Sequence, residues 1–181
     1  MSKIYELHYL TDEFYKKYNH KDYPEIETKR ERPYMVLLIT IDNNTFAIPF
    51  RTNIKHKYCY KFKNSNRDTS SVTGLDFTKA VLVNDKSYIG DLATIDNKEY
   101  IELNNKYYFI ISKFKKYLDG YKNYLSGNLN DYEAKKYRYS TLQYFNDDIF
   151  WGFNSKKTTM LLYSFCKVFL SVVGQYFYSF T

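Results

Sequence analysis

The chain has 181 residues, with 27 Lys plus Arg against 20 Asp plus Glu and a formal charge of +7. That length suits one domain with a real core and leaves little room for two independent ones, while the basic balance favours a polyanionic partner through counterion release. Only Cys59 and Cys166 occur, without C-x-x-C or Cys/His spacing, so neither a disulfide framework nor a zinc site is indicated and a reducing cytoplasm fits; the charged start lacks the apolar run of a signal peptide.

Along the chain, Ile4, Glu6, His8 and Leu10 alternate with Tyr5, Leu7 and Tyr9 in the two-residue period of a strand. Thr11 can cap a short helix with Asp12 and Glu13 in its first turn, running to about Tyr18. A polar loop carrying Lys29, Arg30 and Arg32 then ends at Pro33. Residues 34–42 and 45–50 are β-branched, apolar runs joined by Asn43-Asn44, a pair that tolerates the positive φ of a tight hairpin. Beyond the hairpin, residues 51–63 hold five Lys or Arg and no acid. Such a run is usually a solvated face, but this one leaves the end of a firm strand, where a rigid sheet can hold a loop for chemistry.

Residues 64–73 read as a polar, turn-rich loop and 74–84 as a strand through Leu75, Phe77, Val81 and Val83. Residues 85–103 are ambiguous: Tyr88-Ile89 and Tyr100-Ile-Glu-Leu103 are short strands or lead-in segments. From 104 to 125, Tyr107, Ile110, Ile111, Phe114, Leu118, Tyr121 and Leu125 follow the spacing of a helix covering a sheet. After Gly127 a second helix is expected over 131–145, with Ala134, Tyr137, Thr141, Leu142 and Phe145 on one side. Residues 151–181 form an apolar extension. The stretch 160–180 is long enough for a membrane crossing, but Lys167 near its middle makes it a poor one, so a helix packed loosely or exposed is favoured.

The chemistry-bearing stretch is the loop after Phe50, which carries Arg51, Thr52, Lys55, His56 and Lys57. A group that titrates near neutrality sits there among cations and a hydroxyl. Those are the parts that break a phosphodiester without metal: one takes a proton from a ribose 2′-hydroxyl, and fixed positive charge stabilises the phosphorane. The 22 Tyr and 14 Phe add rings that can stack on unpaired bases, although most are expected to serve core and surface. His8, in a strand, and His20, in a polar loop, are weaker candidates, and Asp12-Glu13 and Asp147-Asp148 read as helix-end charge rather than metal ligands.

Four segments carry a family resemblance: Arg32-Pro-Tyr-Met-Val-Leu-Leu-Ile39, Ile48-Pro-Phe-Arg-Thr-Asn-Ile-Lys-His-Lys-Tyr58, Gly74-Leu-Asp-Phe-Thr-Lys-Ala-Val81 and Tyr137-Arg-Tyr-Ser-Thr-Leu-Gln-Tyr-Phe145. In order and spacing, the chain resembles the endoribonuclease toxins of type III toxin–antitoxin systems, the ToxN/AbiQ family, and most of all the TenpN-like and CptN-like branch. The resemblance spans roughly residues 1–146 and implies an α+β fold, a strongly twisted antiparallel sheet flanked by helices, similar to Kid/MazF-like toxins. It assigns residues 1–148 to the toxin domain and 149–181 to the extension.

It also implies sequence-specific cleavage of cellular RNA in the cytoplasm, serving abortive infection in phage defence or plasmid maintenance. The inhibitor is a pseudoknotted repeat RNA that the toxin cuts from its precursor and keeps bound in a closed hetero-oligomer; no cofactor is called for. After the proline the family carries a small hydroxyl residue, here Thr52, and a Lys whose position falls on Ile54, so Lys55 or His56 must supply the basic function. His56 is taken as general base or acid because imidazole exchanges protons near neutral pH. Arg51 is assigned to brace the scissile phosphate with Lys55 or Lys57, and Thr52 to position an oxygen. Tyr58, Arg32, Tyr34, Lys29 and Arg30 are assigned to the RNA groove, and the products are a 2′,3′-cyclic phosphate and a 5′-hydroxyl. A noncatalytic RNA-binding module and a protein anchored to a membrane by 160–180 are the competing classes.

Overall fold

The computed structural model describes residues 6–27, 35–68 and 70–149. The fold is α+β: an antiparallel sheet with helical segments packed against it. Strand β1 (Glu6–Leu10) is followed by helix α1 (Asp12–Lys17), whose cap is Thr11; its hydroxyl accepts from the Phe14 N–H at 3.4 Å, as the sequence predicts. β2 (Met35–Ile41) and β3 (Asn44–Arg51) form the hairpin. Its two-residue turn is Asp42-Asn43, at φ 52° and 68°, one residue earlier than expected, because Ile41 pairs with Asn44. Asp tolerates the left-handed conformation nearly as well as Asn, so composition did not fix the register.

β4 (Cys59–Lys61), β5 (Gly74–Asp76), β6 (Val81–Leu82) and β7 (Ile89–Leu92) complete the sheet, in the order β4-β5-β3-β2-β1-β7 with β6 also paired to β3. The single strand expected over 74–84 is broken by a 3-10 turn at Phe77–Lys79. Asp76 caps that turn, accepting from the Thr78 N–H at 3.0 Å and the Thr78 hydroxyl at 2.7 Å. A polar side chain that bonds its own backbone two residues on competes with the ladder and ends it.

Helix α2 (Asn97–Leu125) starts earlier than the periodicity suggested, because Asp96 caps it by accepting from the N–H groups of Lys98 and Glu99. Tyr100-Ile-Glu-Leu103 is therefore helical. The helix buries Leu103, Tyr107, Ile110, Phe114, Leu118 and Tyr121, and the Phe114 ring meets Phe46 of β3 at 5.4 Å and Phe77 at 5.5 Å. The five residues from Phe46 to Phe50 are all buried, so β3 is covered on both faces.

The helix expected over 131–145 is only α3 (Asp131–Ala134) and a separate 3-10 turn, Thr141–Phe145. Ser140 breaks it by capping that turn and accepting from the Tyr117 hydroxyl at 3.0 Å. The expected apolar side is nonetheless buried at Tyr137, Thr141, Leu142 and Phe145. Ile149 is also in the core, so the packed unit runs one residue into the segment assigned to the extension. Residues 150–181 lie outside the described residues, among which no helix is long and apolar enough to cross a membrane.

Candidate active site

Arg51 closes β3 opposite Gly74 of β5, and Asp76 stands at the other end of β5 opposite Cys59. A Cβ on Gly74 would lie 2.1 Å from the Tyr60 carbonyl oxygen, so β4 and β5 approach this closely only with glycine there. After Arg51 the chain leaves the sheet, with Asn53 at φ 57°. The Asn53 N–H donates to the Ser71 hydroxyl and the Ile54 N–H to the Val72 carbonyl, both at 3.1 Å. Ile54 is buried. At the far end the Phe77 N–H donates to the Tyr58 carbonyl at 3.2 Å, and the Cys59 thiol to the His56 carbonyl at 3.2 Å. The basic loop is thus held at both ends by backbone hydrogen bonds.

Its centre is Asp76, whose side chain is fully buried. While Thr78 occupies Oδ1, the other oxygen, Oδ2, accepts from Arg51 Nη1 at 2.8 Å and lies 3.4 Å from His56 Nε2. The second terminal nitrogen of Arg51 donates to Glu27. Lys79 donates to the Glu25 carbonyl at 3.0 Å; burial pushes its ammonium below the usual lysine range, against the opposing pull of Glu27.

The His56 ring stacks on Tyr58, with centroids 6.2 Å apart and planes at 25°, and Tyr58 in turn meets Tyr117 at 6.2 Å. The Lys57 ammonium stands 5.8 Å over the Tyr58 ring. Nε2 is the ring nitrogen that faces Asp76, so a proton carried there leaves the lone pair of the neutral ring at Nδ1. Nδ1 is buried, and no described residue bonds it.

Of the residues singled out in the sequence, Arg51, His56 and Tyr58 are brought together. Thr52, Lys55 and Lys57 are exposed around them. Arg51 turns inward to two carboxylates rather than outward. Ile54, at the family's lysine position, is a core residue, and His56 rather than Lys55 reaches Asp76. Lys29, Arg30, Arg32 and Tyr34 lie outside the described residues. His8 is tied to the Gly90 carbonyl at 2.8 Å. Asp76, Glu27 and Lys79 were missed; the available signal was an acid set between Leu75 and Phe77 in an apolar run, followed two residues later by a threonine. Among the described residues no group of three or more His, Cys, Asp or Glu is placed to hold a metal.

A second buried carboxylate lies nearby. Glu99 of α2 accepts through Oε1 from the Ser65 hydroxyl at 2.7 Å and from Arg67 at 3.2 and 3.3 Å, and Arg67 also donates to the Arg51 carbonyl at 3.2 Å.

A scan against protein-family models, a search of curated proteins and a search of solved structures each gave no match to this chain.

Proposed function

We propose that the protein is an endoribonuclease that cleaves RNA through the ribose 2′-hydroxyl, acting in the cytoplasm as the toxin of a type III toxin–antitoxin system. The observation that carries this reading is His56 held between buried Asp76 and Tyr58, in a basic loop anchored to a sheet. His56 takes the 2′-hydroxyl proton while O2′ attacks phosphorus. The bond to O5′ then breaks, O5′ takes a proton from solvent water, and a 2′,3′-cyclic phosphate and a 5′-hydroxyl remain. Exposed Lys55 and Lys57 offset the charge that develops on the phosphorane. Arg51 acts here by fixing Asp76, because its terminal nitrogens are engaged with carboxylates. Access to Nδ1 requires the groups that enclose it to give way when RNA binds, while the ring keeps its place against Asp76 and Tyr58. The target is cellular RNA, and the inhibitor a bound pseudoknot repeat RNA.

The test is cleavage in EDTA by the purified full chain. Wild type should cut RNA, and His56→Ala should lose at least ~100-fold in rate while keeping its fold. Equal rates would reject the role of His56. A second reading, a noncatalytic RNA-binding module, draws on the enclosed Nδ1 and the engaged Arg51. It expects binding of the repeat RNA with no cleavage by wild type.

A further inference from the structure

Two basic stretches that are far apart in sequence meet on one face of the protein. Residues 51–63 hold five Lys or Arg, residues 104–118 hold four Lys, and neither run contains an acid. They come together where α2 packs on β4. Glu102, Lys106, Phe109, Lys113, Lys116 and Gly120 recur every three or four residues and so share one stripe of the helix. Glu102, the one acid of the stripe, is engaged: it accepts from the Tyr60 hydroxyl at 2.7 Å and from the Lys63 N–H at 2.9 Å. Lys113 reaches the Cys59 carbonyl at 3.5 Å, and Gly120 leaves no room for a Cβ against the Tyr137 hydroxyl. Tyr117, next to Lys116, packs on Tyr58 of the His56 loop. The stripe therefore runs beside β4 and past the candidate active site.

Its outer surface carries an aromatic ring among cations. Phe109 is 56 % exposed, its ring meets Tyr60 edge-on at 6.3 Å, and the Lys113 ammonium stands 5.6 Å over it. A ring that can stack on any base, beside cations that hold phosphates, is how proteins take up an unpaired strand. Resting on the endoribonuclease reading for its partner, we propose that the α2 stripe beside β4 carries the single-stranded RNA flanking the cut, with one base on Phe109 and phosphates on Lys113 and Lys116. An ammonium has three donors, so Lys113 keeps two for phosphate beyond the one that faces Cys59. From Phe109 to Lys116 the track covers about 10 Å of helix. Lys57 over the Tyr58 ring repeats the pairing of cation and ring at the His56 loop, where the track ends.

The experiment measures binding of the full chain to a fluorescent, fully 2′-O-methylated RNA single strand, which the ribose-assisted reaction cannot cut, by anisotropy over a range of salt. Phe109→Ala should weaken binding about tenfold, and should leave binding of the same strand annealed to its complement unchanged, because paired bases cannot stack on the ring. Lys113→Gln combined with Lys116→Gln should lower the magnitude of the salt slope by about 1.4, two phosphates at ~0.7 each. Lys115→Gln, on the opposite flank of the helix, should keep the affinity within about twofold at physiological salt, where charge is screened over ~8 Å. Equal weakening by Lys115→Gln and Lys116→Gln, or a single strand indifferent to Phe109→Ala, overturns the inference. So does a dimer in light scattering of the RNA-free protein that Phe109→Ala abolishes, since a second copy would then occupy the stripe. Cleavage of unmodified RNA in EDTA on the same preparations separates the two claims. Cleavage with binding indifferent to the stripe sinks the track alone, whereas stripe-dependent binding without cleavage sinks the nuclease reading alone.

Discussion

Two buried carboxylates, Asp76 and Glu99, each hold an arginine, yet they are built differently. Asp76 uses both oxygens, for Thr78, Arg51 and His56. Glu99 gathers Ser65 and Arg67 on Oε1 alone and leaves Oε2 without a hydrogen bond from any described residue. The difference follows from position. Glu99 sits in the first turn of α2, where the partial positive charge of the helix end and Arg67 together offset a buried anion. Asp76 closes a strand, caps only a three-residue 3-10 turn, and depends on discrete donors. One carboxylate ties a loop to a helix; the other holds a titratable ring. Arg51 links them, by its side chain to Asp76 and by its carbonyl to Arg67.

The comparison breaks most visibly at Arg67. Arg67→Ala leaves Glu99 as an uncompensated buried charge and should destabilise the protein by about 3–5 kcal/mol in denaturant unfolding. A loss below about 1 kcal/mol would mean that the helix end alone carries Glu99. Asp76→Asn should act on the rate instead. It keeps the shape but replaces the charged oxygen that faces Arg51 and His56 with an amide nitrogen, so RNA cleavage should fall by ~100-fold or more in protein that remains folded by circular dichroism. Lowered stability in denaturant unfolding with no change in specific activity would make the two carboxylates equivalent.

A third contrast is pH. Burial raises the phenols of Tyr60, Tyr117, Tyr121 and Tyr137, the last to about 12. The folded state therefore keeps protons that the unfolded chain releases above about pH 10, the ordinary tyrosine value. The stability they contribute is fully present below that pH and is lost as pH rises toward 12. Melting temperature should be set independently of these groups below pH 10 and drop steeply above it; a flat profile to pH 12 would contradict their burial. The smallest effect is expected at Ser65→Ala, which removes the hydroxyl that donates to Glu99 and accepts from the Arg67 N–H, and should cost about 1.5–2 kcal/mol with cleavage unchanged. A slowed cleavage there would show that the Glu99 cluster reaches the His56 site.

Local periodicity made most of the fold legible. The alternation in β1, the Thr11 cap, the β2–β3 hairpin and the apolar stripe of α2 are all short-range patterns that the structure keeps. What could not be read were interruptions by side chains bonding their own backbone or a distant hydroxyl. Asp76 splits a strand and Ser140 splits a helix, and both are ordinary polar residues in sequence. The site was half legible for a related reason. Arg51, His56 and Tyr58 share one loop, so spacing alone gathers them. Asp76, Glu27 and Lys79 come from other segments and meet Arg51 only through sheet pairing and packing.

The most direct measurement is the chemistry of the cut ends, read by mass spectrometry after wild type and His56→Gln have been incubated with the same RNA in EDTA. His56, held by Asp76 and acting on the 2′-hydroxyl, predicts fragments ending in a 2′,3′-cyclic phosphate, with 5′-hydroxyl partners, from wild type and a loss of those fragments in the variant. Fragments ending in a 3′-hydroxyl with a 5′-phosphate, or undiminished cyclic phosphate from His56→Gln, would contradict it.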